Sequence, residues 1–191
     1  MYGIIGEDGS DVDMLVELVR RISGNERLPV RKQGFSGSGE LFKKGILTLR
    51  TFSLMRCSRY IIVYDSDGDH PDTRKRRIVE EIINRSGVAG EFCALVPTQE
   101  IEAWILADIG CVTQQFPGWK PTREYANPEG INSPKEFLRR LSREGVAKPR
   151  YSNAIHNPVL ARYLNLDVVK AKCPSFEPLF TLVNDGRGNV P

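Results

Sequence analysis

The sequence predicts an α/β protein. Residues 1–110 are expected to form a mostly parallel four-stranded sheet between helices, with residues 111–191 as a helical C-terminal extension packed on it. Three observations lead there. Apolar segments and segments of helical period alternate four times before about residue 110. The third apolar segment, Tyr60-Ile61-Ile62-Val63-Tyr64, is apolar throughout, as a strand covered on both faces is. Acids stand directly after the first, third and fourth strands, the end at which parallel sheets bind ligands.

Tyr2-Gly3-Ile4-Ile5-Gly6 reads as a short strand ending at Glu7. Ser10 is placed to cap the next helix, with Asp13 as a capping-box partner. Val12, Leu15, Leu18, Val19 and Ile22 form its apolar face, and Gly24 its stop. Residues 28–33 make a weak strand. Gly34-Phe35-Ser36-Gly37-Ser38-Gly39 has GxxxxG spacing, but Glu40 and Leu41 stand where a phosphate loop needs Lys and Ser/Thr. It reads as a loop before a helix over about residues 40–55.

The central strand runs into Asp65-Ser66-Asp67-Gly68-Asp69, where Gly68 permits a sharp turn. A helix opens at Asp72 and carries Arg74, Lys75, Arg76 and Arg77 in succession, with Ile78, Ile82 and Ile83 inward. Residues 92–97 are the fourth strand, and residues 98–108 a helix with Glu100 and Glu102 at or near its start. Residues 116–130 are rich in Pro, Gly and turn formers and read as a loop or lid. Ser133-Pro134-Lys135-Glu136 is a helix start with a capping box, and Gly145 its stop. Asn157-Pro158 opens another helix, and residues 178–184 a last one.

A hydrophobic content of 40% and a charged content of 27% are those of a soluble globular protein. The start shows no secretory signal, and no apolar run approaches the ~20 residues of a membrane span. Cys57, Cys93, Cys111 and Cys173 are scattered without a CxxC pair, which suits buried thiols in a reducing cytoplasm. The net charge of +3 is too small to argue nucleic-acid binding alone.

The chemistry lies in the acids. Asp65, Asp67 and Asp69 follow a buried strand within five residues, and a hard divalent cation such as Mg²⁺ or Mn²⁺ relieves such repulsion. The bland alternative is a solvated acidic turn. Asp11, Glu100 and Glu102 fall at helix starts, where an acid also serves as a simple dipole partner. The run Arg74–Arg77 is by itself a solvated helix face, but beside a carboxylate cluster it suits holding a phosphate backbone. His70 and His156 read as structural or surface residues.

Glu7-Asp8-Gly9-Ser10-Asp11 resembles the E-G-x-T-E/D signature of Toprim domains, with Asp8 in the usual glycine place. Asp65-Ser66-Asp67-Gly68-Asp69 resembles their DxD motif. Glu102-Ala103-Trp104-Ile105-Leu106-Ala107-Asp108 resembles the EAWLLAD box of a stand-alone bacterial Toprim-like family related to the nuclease half of overcoming-lysogenization-defect (OLD) nucleases. The resemblance covers residues 1 to about 108 and extends loosely through Tyr151-Ser152 and His156-Asn157-Pro158.

It implies a Mg²⁺- or Mn²⁺-dependent nuclease. Glu7, Asp11, Asp65, Asp67 and Glu102 would be ligands, with Glu100 and Asp69 as further members of the set, and Asp65 would bridge two ions ~4 Å apart. It implies nucleic acid as substrate, an ATPase partner protein and a role in bacterial defence against foreign DNA. OLD-type enzymes also use a downstream lysine; Asn153 stands where it is expected, which leaves Lys148 and Lys135 as substitutes. A non-catalytic Toprim-like subunit that binds nucleic acid or a partner is the alternative, and a phosphatase acting on a small phosphorylated substrate a more distant one. An EF-hand at Asp65 fails, because His70 and Arg76 occupy its glycine and glutamate positions.

Overall fold

The computed structural model describes residues 1–143 and 150–185. Four strands, β1 (Tyr2–Gly6), β2 (Val30–Gly34), β3 (Arg59–Val63) and β4 (Glu91–Leu95), form one all-parallel sheet in the order β2-β1-β3-β4. The arrangement is Rossmann-like, with helices on both faces.

Period-two alternation sorts the strand residues into two cores. Ile4, Ile61, Val63, Cys93 and Leu95 face one side; Ile5, Tyr60, Ile62, Tyr64 and Ala94 face the other. The second side is covered by α2 (Ser38–Leu54) and by α3 (Pro71–Ile78), which continues through a π-turn at Val79–Ile83 into α4 (Asn84–Ser86). The first side is covered by α1 (Gly9–Ser23) and α5 (Ala103–Ala107) together with the later helices. These are α6 (Val112–Gln115), α7 (Pro134–Leu141), α8 (Asn153–Leu160), α9 (Leu166–Lys172) and α10 (Glu177–Asp185). Leu138, Tyr151, Leu160, Val169, Phe176 and Leu179 join Leu15, Leu18 and Trp104 in one continuous core, so the C-terminal helices share the hydrophobic interior of the first half.

The register brings the strand ends together. Gly6 aligns with Val63 on one side and Gly34 on the other, and Val63 with Leu95. A Cβ on Gly6 would lie 2.4 Å from Val63 Cγ1, so the close approach of β1 and β3 before Glu7 requires glycine.

Several local expectations are corrected. Asp8, not Ser10, is the N-cap of α1, and its carboxylate accepts from the Ser10 N–H at 2.7 Å. The helix expected over 98–108 is confined to Ala103–Ala107. Backbone before it is diverted to hold the acidic loop: Pro97 and Gln99 carbonyls accept from the Ser66 and Asp67 N–H groups, and Gln99 has φ 65°. Ser133 precedes α7 with φ 49° and no side-chain cap, and Glu136 pairs instead with Arg139. The N-terminal cap comes from a distance, as Glu100 Oε2 accepts from the Lys135 N–H at 2.8 Å. α8 starts at Asn153 and carries Pro158 inside it. The stop expected at Gly145 lies outside the described residues.

Candidate active site

Glu7 leaves β1, Asp65 follows β3 and Asp11 stands in the first turn of α1, so three carboxylates from two neighbouring strand ends meet at one edge. Glu102 joins them at the N-cap of α5, brought back by the loop after β4. The acids are deeply placed: Asp11 is 1% exposed, Asp65 5% and Glu102 0%.

The acidic loop is a built turn. Asp67 and Gly68 have φ 48° and 87°, as the two central residues of a type I′ turn require, and the Asp69 N–H closes it on the Ser66 carbonyl at 2.9 Å. Ser66 Oγ accepts from the Gln99 N–H at 2.7 Å, tying this turn to the loop after β4. The Asp65 N–H donates to Glu7 Oε1 at 3.0 Å, which fixes the two strand ends to each other.

The electrostatics are those of crowded, desolvated acids. Burial, then Asp11, Glu102 and Glu7, push the Asp65 carboxyl well above the usual carboxylate range. Burial, then Glu102, Asp8 and Glu7, do the same to Asp11. Glu102 is raised by burial although Lys135 and a hydrogen bond from Asn157 oppose the shift. Glu7 and Asp67, nearer solvent, are raised as well, again chiefly by burial. Two carboxylate oxygens in this nest, Asp65 Oδ1 and Glu102 Oε2, are buried without a hydrogen-bond partner.

Among the described residues Lys135, at the start of α7, is the lysine that faces these acids. Its Nζ lies 3.9 Å from Glu100 Oε1. Burial opposes its charge, but Glu102, Asp11, Glu100 and Asp65 outweigh that and raise its pKa above the ordinary lysine range. Lys148, the other sequence candidate, lies outside the described residues. A second set of side chains braces the acids. Asn157 Nδ2 donates to Glu102 Oε1 at 3.0 Å, and the Tyr151 hydroxyl bridges Glu102 Oε1 (3.4 Å) and Asn157 Oδ1 (2.5 Å). Asn153 Nδ2 donates to Ser10 Oγ at 3.0 Å, and that hydroxyl contacts Asp8 and Asp11. Asn153 therefore stands in the support of Asp11.

Other expected members lie elsewhere. Asp69 is exposed and pairs with Arg74 at 3.0 Å. Arg74 stacks over Tyr64 and Arg77 over Phe42, with guanidinium carbons 4.3 and 4.0 Å from the ring centroids, and Arg77 also pairs with Glu81 at 2.9 Å. Lys75 and Arg76 remain exposed on α3. His70 caps α3, and His156 packs against Phe116. All four cysteines are free and buried, and burial raises Cys93 and Cys173 to about 12, which rules against thiolate chemistry.

Among the described residues, no three Asp, Glu, His or Cys side chains are arranged to hold a metal ion as they stand. The donor set nevertheless fits a hard cation: it consists of carboxylates, and two of their oxygens are orphaned.

Sequence reasoning missed Tyr151 and Asn157 as supports of Glu102 and left Lys135 undecided. Tyr151-Ser152 and His156-Asn157-Pro158 had shown only a loose resemblance, and nothing local marks either residue.

Fold and site together define an α/β protein with a buried carboxylate nest, a facing lysine and a helical cover at the carboxyl edge of a parallel sheet. Residues 7–184 match a family model described as "Domain of unknown function (DUF4276)", and the chain belongs to that family. No curated protein and no solved structure matches it.

Proposed function

We propose that this nest is a Mg²⁺ or Mn²⁺ site serving phosphodiester hydrolysis on nucleic acid, in the manner of a Toprim-type nuclease. The observation that carries the reading is the burial of Asp11, Asp65 and Glu102 together, with one oxygen of Asp65 and one of Glu102 unpartnered. Buried polar groups are ordinarily satisfied, and an exception points to a bound ion or a chemical role. The resemblance of Glu7 to Asp11, Asp65 to Asp69 and Glu102 to Asp108 to Toprim motifs supports the same reading.

Asp65, Glu102, Asp11 and Glu7 would hold the cation, with Asp67 at the rim. A cation held there would supply Lewis-acid polarisation of a phosphoryl oxygen and a lowered pKa for bound water. The residues of the chain supply the rest. Lys135 stays charged and offers a donor to a phosphate entering over the acids. Glu100 fixes the start of α7 and so the height of that lysine. Tyr151 and Asn157 hold Glu102 in one rotamer. Lys75 and Arg76, exposed on the neighbouring helix, suit the flanking backbone of a substrate.

The test is cleavage of plasmid, single-stranded DNA and RNA with each metal by wild type and by Asp65→Asn. Cutting that needs the metal and disappears in the variant supports the proposal. Binding without cutting, even with a partner ATPase supplied, hands the site to a non-catalytic subunit; hydrolysis of small phosphomonoesters alone would make it a phosphatase.

A further inference from the structure

A groove of about 550 Å³ lies beside α7, away from the acids. Its walls are the loop after α6, with Trp119, Lys120, Arg123 and Tyr125, and the α7 residues Phe137 and Arg140. Among the described residues it is lined by three cations and no acid, in a chain whose net charge is only +3. The aromatic residues are anchored from behind. Trp119 packs 5.8 Å from Phe116, and Tyr125 stands edge-on to Phe137 at 5.4 Å. All of them are half-buried against the main core. Arg150 also approaches, with its guanidinium beside Gly118.

Two features argue for the occupant. Arg140 lies over Phe137, its guanidinium carbon 4.9 Å from the ring centroid, a contact that holds the side chain without neutralising its charge; cations without a compensating acid favour a polyanion. Aromatic side chains in the same groove favour planar unstacked bases, which a duplex keeps inside its stack and a single strand presents. The position adds a third. Phe137 and Arg140 lie on one side of α7, whereas Lys135, two residues before Phe137, projects on the opposite side among the acids. Groove and acid nest are thus separated by one helix, about 10–12 Å wide.

We infer that this groove is a track for single-stranded nucleic acid, in which bases stack on Trp119 and Tyr125 while Lys120, Arg123 and Arg140 hold the phosphates. That the strand runs on around α7 to the acids rests on the function proposed above; the binding itself does not.

The experiment is binding of a short fluorescein-labelled oligothymidylate by the full chain in the presence of a chelator, followed by anisotropy, with duplex DNA and polyglutamate as competitors. Arg123→Gln with Arg140→Gln should weaken binding roughly tenfold and lower the log–log salt slope by about 0.7 per lost phosphate contact. Trp119→Ala should weaken it roughly fivefold or more. Intrinsic fluorescence gives a check that does not depend on stability. Trp104 is 0% exposed, so quenching by the oligonucleotide should come from Trp119 and vanish in Trp119→Phe. Unchanged affinity in the arginine pair, or quenching that survives Trp119→Phe, overturns the inference. So does duplex DNA or polyglutamate competing as well as the single strand; the latter points to an acidic protein partner. Cleavage by wild type with unaltered binding in the groove variants rejects the groove and leaves the active site. Binding lost in those variants, with no cleavage by any form, rejects the catalysis and leaves the groove.

Discussion

The carboxyl edge of the sheet has a floor and a rim, and the same residue type behaves differently in each. Asp65 and Asp69 lie four positions apart in one loop. Asp65 is buried, crowded by Asp11, Glu102 and Glu7, and keeps an oxygen without a partner. Asp69 is in solvent and ion-paired to Arg74. The cations divide in the same way: Lys135 stands over the floor, whereas Arg74 and Arg77 are engaged by aromatic rings and acids on the flank. An acid is costly only where water is excluded, so the floor costs the fold stability that the rim does not.

The largest expected effect comes from emptying the floor. Asp65→Asn should reduce metal-dependent cleavage by roughly 10³-fold or more, since a bound ion supplies several kcal/mol to the transition state. The same variant should stabilise the metal-free fold by about 1–3 kcal/mol, or roughly 3–10 °C in melting temperature. The pH dependence follows from the sign of the shifts. Asp11, Asp65 and Glu102 have folded-state pKa values above their unfolded ones, so the folded state binds more protons between the two values. Stability in chelator should therefore fall as pH rises through and beyond the ordinary carboxylate range, and fall less in Asp65→Asn. Urea melts across that range measure it; a slope of opposite sign would remove the distinction between floor and rim.

Lys135→Met comes next, at roughly 10²-fold in cleavage rate with substrate affinity little changed. An equal loss in Arg76→Gln would place the working cation on α3 and not on α7. Tyr151→Phe should cost roughly tenfold in metal affinity or rate by freeing Glu102, together with about 1 kcal/mol of stability. Asp69→Asn, on the rim, should stay within about fivefold of wild type, as exposed pairs usually do. A loss comparable to that of Asp65→Asn would extend the site to the rim.

The contrast also separates what was legible in the sequence from what was not. The parallel sheet followed from local pattern, because the apolar run Tyr60–Tyr64 and the acids after three strands are contiguous features. The acid nest was largely legible for the same reason, as strand ends in such sheets converge. Helix 98–108 was overdrawn: Ile101, Trp104 and Ile105 keep helical spacing, but Pro97 and Gln99 use their carbonyls to hold the acidic loop. The run Arg74–Arg77 was conspicuous and only half available, since nothing in its spacing reveals Tyr64 and Phe42 as partners. Lys135 was legible only as one of two substitute lysines, and Tyr151 and Asn157 not at all, because the three reach Glu100 and Glu102 across 35 or more positions of chain, through the packing of α7 and α8.

The most direct test is calorimetric titration of Mn²⁺ into the metal-free protein and into Asp65→Asn. The expected result is saturable binding by wild type, with a rise in its melting temperature, and neither in the variant. Absence of binding to the wild-type protein, or equal affinity in both, would contradict the account and leave the buried acids without a cation to hold.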